Sequence, residues 1–244
     1  QVRHARLVRQ LELDVVHDPP FLAMEFVQGW SLREALKTEP LPPMAKVLAV
    51  MDQLLTVLDH LHRRGLVHGD VKPSNCFLHA EDDRPGRLKL LDFGCAIDLD
   101  LEGRPSPGAG QALGTPAYRA PERLHGEVDA RADIYAVGTL LFQMLTGRLP
   151  VSDPPGGTAP RMAWFAEDLK FSYDLEDTVA RALRRRPDER HADIRTFAAE
   201  IRALQQSEKP PVAPQRTAFN DPRSLVAGLI AFVWLIMLCT LASA

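Results

Sequence analysis

The chain has 244 residues, of which 45% are hydrophobic and 25% charged, and its formal net charge is -3. This length and composition can bury a core in one large domain or two small ones, which excludes disorder as the default state. The slightly acidic balance gives no electrostatic reason to expect nucleic acid as a partner. Three dispersed cysteines are too few for a disulfide framework or a zinc site, as expected in a reducing compartment.

The N-terminal segment predicts a β-hairpin followed by a short helix. Two β-type runs, LVRQLELDVV from Leu7 and FLAMEFV from Phe21, flank the turn-like HDPP. The pattern then becomes helical after Gly29. Ser31 can cap this helix, and Glu34 three residues later completes a capping box.

A longer amphipathic helix is predicted in MAKVLAVMDQLLTVLDHLHRRG, from Met44 to a stop at Gly65. Apolar residues recur there at spacings of three and four and form one stripe: Val47, Met51, Leu54, Leu58 and Leu61. The polar stretch LVHGDVKPSNCFL comes next, and the run RLKLLDFG predicts a short strand that leads into a turn.

The second half of the chain predicts a long connection and three helices. The connection, Cys95 to Glu122, is rich in glycine and proline, and such long irregular connections are more often functional or mobile than filler. DIYAVGTLLFQMLTG is apolar nearly all round, which indicates a helix buried on every side. LEDTVARALRR and DIRTFAAEIRALQQ follow as further helices.

The C-terminal segment predicts a membrane anchor. Residues 207–224 contain four prolines and predict an extended tether, and Leu225 to Ala242 is a run of 18 residues without a charge. At about 1.5 Å per residue this run nearly spans a hydrocarbon core of about 30 Å. A buried helix or subunit contact is the alternative. Arg216 and Arg223 precede the run, so the positive-inside rule predicts a single-pass anchor in membrane lipid with the preceding domain in the cytoplasm.

An acid, a cation and an amide lie close together in the polar stretch, at Asp70, Lys72 and Asn75. Phosphoryl transfer needs metal ligands, a carboxylate that orients the attacking hydroxyl and a cation on the transferred group. A structural alternative exists for each residue, because Asp70 could cap a turn and Asn75 could satisfy loop backbone.

HGDVKPSN resembles the catalytic loop of eukaryotic-type serine/threonine protein kinases, a family found also in bacteria. Further stretches resemble that family in the right order: MEFVQGWSL its hinge, LLDFG its metal-binding turn, GTPAYRAPE the end of its activation segment and RPDER its arginine corner. The joint order and spacing of these stretches favour the resemblance over chance, although DFG alone would be weak.

The resemblance implies a catalytic site for ATP-dependent phosphorylation of serine or threonine in a protein substrate. Asp70 would orient the substrate hydroxyl and Lys72 would contact the γ-phosphate. Thr115 and Lys72 fit the serine/threonine branch, so Asp70, Lys72 and Thr115 are the expected catalytic residues. Asn75 and Asp92 would hold Mg2+.

The resemblance also implies where ATP would bind. The hinge backbone through Glu25, Phe26 and Val27 would receive the adenine, with Met24 at its back wall and Phe77 beneath the ring.

Other residues are expected to be structural. Glu122 would pair with Arg190, and Asp133 would tie the buried helix to the catalytic-loop backbone. His68 is expected to pack in the core rather than act as a base. Cys95 is expected to fill apolar space, with a reactive thiol as the alternative.

The expected fold class is α+β, a protein-kinase-like fold. Residues 1–28 would be the last strands of the small N-terminal lobe with the hinge, and residues 29–206 the helical large lobe. The tether at 207–224 and one transmembrane helix at 225–242 would follow. A glycine-rich loop, a strand lysine and a partner glutamate do not precede the hinge, so we expect most of the small lobe to be missing from this chain.

Two further expectations concern activity. Glycine occupies position 69, where many kinases carry the arginine that pairs with an activation-loop phosphate, so activity should not depend on phosphorylation of Ser106 or Thr115. A pseudokinase scaffold without activity is the competing hypothesis.

The tail FNDPRS also weakly resembles bacterial proteins that join a 2C-type phosphatase to a kinase.

Overall fold

The computed structural model describes residues 2–37, 41–79, 87–92, 94–100, 104–106, 114–126, 129–150, 161–165 and 171–207. Residues Gln1–Gln206 form one compact unit. Apart from Ser207, the remainder of the chain lies outside the described residues.

The predicted N-terminal hairpin is present. Strand β1, Gln10–Asp14, pairs antiparallel with β2, Phe21–Met24, and Leu13 lies opposite Leu22. The short helix α1, Leu32–Ala35, begins after Ser31, whose side chain accepts a hydrogen bond from the Glu34 amide while the Glu34 carboxylate accepts from the Ser31 amide. This is the capping box that the sequence predicts.

A three-stranded antiparallel sheet forms from residues after the N-terminal hairpin. Strand β5, Cys76–His79, is its centre and pairs with β3, Gly29–Ser31, and with β6, Arg87–Leu90. A Cβ atom on Gly29 would lie 2.1 Å from the Leu78 carbonyl oxygen, so only glycine allows this approach of β3 to β5. Because Asn75 directly precedes β5 and Asp92 closely follows β6, this sheet brings two expected metal ligands to the same end.

Four longer helices contribute most of the buried core of the compact unit. Helix α2, Met44–His62, buries the predicted stripe, and α3, Arg131–Thr146, is buried over nearly its whole length, as predicted. Helices α4, Tyr173–Ala182, and α5, Ile194–Ser207, match the last two predicted helices. Ser207 thus belongs to α5 and not to the predicted tether.

The connection from Cys95 to Glu122 contains more regular structure than its composition predicts. Strand β7, Ile97–Asp98, pairs antiparallel with β4, Leu66–Val67, and 3-10 turns form at Pro116–Tyr118 and Pro121–His125. The glycines and prolines therefore mark turns between short elements that are stabilised by the rest of the fold.

None of the helices in the described ranges is long and apolar enough to cross a membrane. The expected anchor, Leu225 to Ala242, and residues 208–224 of the expected tether lie outside the described residues.

Candidate active site

Asp133 of helix α3 holds the backbone of the loop that carries Asp70. The Asp133 carboxylate accepts hydrogen bonds from the backbone amides of His68, at 2.8 Å, and Gly69, at 2.9 Å, and lies 2.8 Å from His62 Nε2. Burial alone would raise the pKa of Asp133, but the contact with His62 and the Gly69 amide lower it below its ordinary value. Asp133 therefore stays ionised and anchors the loop, as the resemblance implies.

The Asp70 carboxylate lies at the centre of the site and accepts hydrogen bonds on both oxygens. The Thr115 amide donates to Oδ1 at 2.8 Å, and Lys72 Nζ donates to Oδ2 at 2.5 Å. Burial would raise the pKa of Asp70, but these donors hold it below its ordinary value. The group is therefore a charged acceptor at neutral pH.

Lys72 connects the loop to the segment that contains Thr115. Its Nζ atom also donates to Thr115 Oγ1 at 2.9 Å, so Asp70, Lys72 and Thr115 are in mutual contact. The structure therefore brings the three expected catalytic residues together, although they are as much as 45 positions apart in the chain.

A backbone hydrogen bond joins Asn75 to Leu91, the residue before Asp92. The Leu91 amide donates to the Asn75 carbonyl at 2.8 Å, which places the residue after it, Asp92, beside the Asn75 turn. Asn75 Nδ2 donates to the Asp70 carbonyl at 2.9 Å and to the Asp70 carboxylate at 3.3 Å. These bonds orient the Asn75 amide so that its Oδ1 oxygen is the end left for a cation.

Asp92 has a backbone conformation that is unusual for a side chain with a Cβ atom. Its φ is 66°, and the Gly94 amide donates to its Oδ1 at 2.9 Å. Aspartate tolerates left-handed backbone because its short polar side chain can bond locally. The turn therefore presents a carboxylate at the end of β6.

The donor set fits Mg2+ bound together with a nucleotide. Magnesium is usually held by one or two carboxylates with substrate phosphates and water, rather than by a complete protein cage. No group of three or more His, Cys, Asp or Glu side chains in the described part of the chain could hold a metal by itself. The oxygen atoms of Asn75 and Asp92 suit a shared site of this kind.

The expected adenine-contacting residues lie along β2, its C-terminal extension and β5. Met24 ends β2 opposite Gln10, and Phe77 lies on β5 opposite Lys89. Glu25 follows β2, and its amide donates to the Arg9 carbonyl at 2.9 Å, which extends the hairpin by one residue. The Phe26 side chain is 91% exposed, and Val27 is half-buried.

The sequence alone did not predict an ion pair that holds this hinge segment. Lys89 Nζ donates to Glu25 Oε1 at 2.6 Å, and this hydrogen bond lowers the pKa of Glu25. Lys89 therefore ties the hinge to the sheet that carries Phe77. The paired residues are 64 positions apart, and no local pattern marks them.

His68 packs in the interior, as expected, whereas the role of Cys95 stays a prediction. The His68 side chain is fully buried, and its Nε2 atom lies 3.0 Å from the Leu91 carbonyl oxygen. Cys95 is a free, partly buried cysteine.

The family is decided by comparison with known sequences. The sequence model described as Protein kinase domain matches residues 1–191. The chain belongs to the protein kinase domain family. Because this match begins at residue 1, it does not by itself support the expected absence of most of the small lobe.

The kinase domain has bacterial relatives named as serine/threonine-protein kinases. Pkn1 of Myxococcus xanthus is 38% identical over 208 residues, covering 80% of this chain and 29% of the relative. PknL of Mycobacterium tuberculosis is 37% identical over 196 residues, covering 76% and 47%. PknB of Mycobacterium tuberculosis is 31% identical over 218 residues, covering 86% and 34%. The kinase domain here thus spans less than half the length of each of these curated relatives.

A solved kinase domain shares the fold. The crystal structure of a double mutant of the Mycobacterium tuberculosis PknI kinase domain superimposes with a TM-score of 0.65 at 27% identity. The similarity covers 84% of this chain and 73% of that one. The predicted kinase-like fold and serine/threonine kinase class are thus confirmed, whereas the names of these relatives give no support to the phosphatase resemblance.

Proposed function

We propose that this chain transfers the γ-phosphate of ATP to serine or threonine hydroxyls of proteins. The observation that carries the proposal is the contact of Asp70 with Lys72, Thr115 and Asn75. Asp92 follows Leu91, whose amide donates to the Asn75 carbonyl. This arrangement combines a charged acceptor, a cation and oxygen ligands, which are the groups that phosphoryl transfer uses. Family membership and the names of the relatives support the same reaction.

Asp70 would act on the substrate hydroxyl. Its lowered pKa keeps it ionised at neutral pH, so it can accept a hydrogen bond from the hydroxyl group and orient the oxygen. The hydroxyl oxygen then bonds to the γ-phosphorus while the bond from that phosphorus to the ADP oxygen breaks, and the hydroxyl proton passes to Asp70.

Lys72 would contact the phosphate that is transferred. Its ammonium group lies against Asp70 and Thr115, so it is held at the place where substrate oxygen and phosphate would meet. A fixed cation there stabilises the charge on the equatorial oxygens without reorganisation during the reaction. Thr115 would keep Lys72 in place and contact the substrate segment.

Asn75 and Asp92 would hold Mg2+, which neutralises phosphate charge when it is bound. The bonds from Asn75 Nδ2 to Asp70 orient the Asn75 side chain, and the bond from the Gly94 amide orients the Asp92 carboxylate, before any ligand arrives. The backbone of Glu25 to Val27, with Met24 and Phe77, would receive the adenine. The ion pair of Glu25 with Lys89 supports this assignment because it fixes the hinge to the sheet.

We also propose that the domain lies in the cytoplasm and is anchored to the membrane by a single span at Leu225 to Ala242. Support comes from the 18 uncharged residues and from Arg216 and Arg223 before them. Carbonate extraction of membranes from cells that make the full-length protein would test the anchor. Replacing Val233 and Trp234 by aspartate should release the protein, because these residues lie at the centre of the run and each charge there costs about 3 kcal/mol.

The proposed reaction is tested with the full-length protein, ATP and Mg2+, and a generic serine- and threonine-rich protein. Asp92→Asn is expected to abolish transfer, and Asp70→Asn to lower kcat by about 10² to 10⁴-fold. Asp188→Asn is the matched control, because Asp188 lies in an exposed pair with Arg186 away from this site. Phosphoamino-acid analysis should find phosphoserine and phosphothreonine.

A second measurement separates a kinase from a binding scaffold. In a kinase, ATP with Mg2+ should raise the melting temperature, and Asp92→Asn should remove that shift together with transfer. Stabilisation by ATP in the complete absence of transfer would favour the scaffold.

A further inference from the structure

Gly69 lies in a position where no side chain fits. Its φ is +76°, and an added Cβ atom would lie 2.5 Å from the Cys95 carbonyl oxygen and 2.7 Å from Arg123 Nη1. The first of these contacts is with backbone, which cannot move away cheaply. The residue before Asp70 therefore cannot itself supply a cation to the catalytic loop.

Arg123 supplies a cation there from another part of the chain. Its Nη1 atom donates to the Gly69 carbonyl at 2.5 Å, and the arginine is only 2% exposed. It belongs to the 3-10 turn Pro121–His125, which is 54 residues from Gly69 in sequence. A buried guanidinium on a backbone carbonyl is a charge-assisted hydrogen bond, which is stronger than a neutral one.

The turn that carries Arg123 is itself firmly held. Glu122, the preceding residue, receives two hydrogen bonds from Arg190, at 2.7 and 2.6 Å. The backbone of Gly69 is therefore held on both sides. Its amide donates to Asp133, and its carbonyl, which belongs to the peptide group before Asp70, accepts from Arg123.

Residues 114–126, called here the substrate-side segment, also contact Gly69. A Cβ atom on Gly114 would lie 2.7 Å from the Gly69 carbonyl oxygen, so the backbone of this segment passes directly over Gly69. The next amide, that of Thr115, donates to Asp70. Arg123 therefore lies where the catalytic loop and residues 114–126 contact each other.

We propose that Arg123 is a positioning residue that holds Asp70 in its working orientation through the Gly69 carbonyl. This inference rests on the proposed kinase function. Arg123 does not reach the reacting groups in this role and acts through the peptide group before Asp70. Because Arg123 belongs to the substrate-side segment itself, its contact with the catalytic loop positions this segment without a phosphate group.

The test compares Arg123→Met and Arg123→Lys with the wild type in the full-length protein. Arg123→Met keeps much of the side-chain length but removes the donors, and it should lower kcat by about 10- to 100-fold. The KM for ATP should change by less than about threefold, because Arg123 acts on the Gly69 carbonyl next to Asp70 and not on the hinge backbone that would receive the adenine. Arg123→Lys can donate one bond and should restore part of the lost kcat.

Amide hydrogen exchange gives a readout that does not depend on activity. Arg123→Met should speed exchange in the peptide that contains residues 68–72 more than in helix α3. Arg186→Met is the matched control, because Arg186 is an exposed arginine, and it should leave both kcat and exchange unchanged. If Arg123→Met does not fold, Arg123→Lys still provides both measurements.

The outcomes separate this inference from the proposed function. A wild-type protein that transfers no phosphate contradicts the proposed function, and the exchange measurement then still tests the contact. An active wild type whose Arg123→Met variant keeps its kcat and its exchange rates contradicts the role of Arg123. Equal losses in kcat for Arg123→Met and Arg123→Lys, with uniformly faster exchange throughout the domain, would show a general structural role and also contradict it.

Discussion

Arg190 and Glu122 form a two-point ion pair in the interior of the large lobe. Arg190 donates from both terminal nitrogens to the two Glu122 oxygens, and the residues are only 5% and 8% exposed. Arg190 also donates to the carbonyls of Arg184, Arg185 and Arg131 and lies over the Tyr135 ring at 5.0 Å. This arginine therefore joins the turn at Pro121–His125 to the segment between helices α4 and α5.

Breaking that pair from one side should be costly. Glu122→Gln or Arg190→Met is expected to lower the free energy of unfolding by about 3 to 5 kcal/mol, because the remaining charge is left buried. Urea denaturation measures the change. The exposed pair of Arg186 with Asp188 provides the control, and Asp188→Asn should cost less than about 1 kcal/mol. A similar, small cost for all three variants would contradict a structural role of the buried pair.

Activity should not depend on phosphorylation of Ser106 or Thr115. In the structure, Thr115 Oγ1 accepts from Lys72, and Asp70 accepts from the Thr115 backbone amide, which alanine retains. Losing the hydroxyl removes one hydrogen bond of about 1 kcal/mol, so replacing both residues by alanine should lower kcat by less than about tenfold. Steady-state kinetics checks this, and a loss of about 100-fold would contradict it.

Gly138 allows helix α3 to pack closely against α4, so a methyl group at this position should lower the stability of the fold. An added Cβ atom would lie 2.7 Å from Ala182 Cβ. Alanine has the better helix propensity by about 1 kcal/mol, but overpacking costs about 1 to 3 kcal/mol, so Gly138→Ala should be destabilising on balance.

The reciprocal change provides the control for Gly138→Ala. Ala182→Gly, made in the Gly138→Ala background, removes the facing methyl group and should recover part of the stability in thermal denaturation. If Gly138→Ala alone is more stable than the wild type, the conclusion that α3 packs too closely on α4 for a methyl group is wrong.

Stability should fall in mildly acidic solution because of His191. Burial lowers the pKa of His191 from its ordinary value of 6.5, although Glu200, 2.9 Å away, partly offsets this. The unfolded chain therefore binds more protons than the folded chain below about pH 6.5, so the free energy of unfolding decreases as the pH falls from there. Arg181 also disfavours the protonated form and Asp177 favours it.

His191→Gln tests this dependence, since glutamine can still bond Glu200 but does not titrate. The slope of unfolding free energy between about pH 7 and about pH 5.5 should be smaller in the variant. It should not vanish, because burial also lowers the pKa of His4 and His60. A slope in His191→Gln that equals the wild-type slope would contradict the assignment.

Much of the local structure could be predicted from the sequence because its causes are local. The capping box at Ser31 and Glu34, the apolar stripe of α2 and the all-round apolar pattern of α3 each specify an element within a few turns of chain. The order of the motifs also predicted that Asp70, Lys72 and Asn75 would share a site with Thr115 and Asp92. Composition was less informative between Cys95 and Glu122, where the short strand β7 depends on pairing with the distant β4.

The sequence by itself determined which residues could do the chemistry, since an acid, a cation and an amide at that spacing are visible without coordinates. Only the tertiary structure decided how they are held. The bonds from Thr115 to Asp70, from Lys89 to Glu25 and from Arg123 to Gly69 join residues 45 to 64 positions apart. No periodicity or local propensity encodes such contacts, because they exist only once the sheet and helices have packed and brought the partners within hydrogen-bond distance.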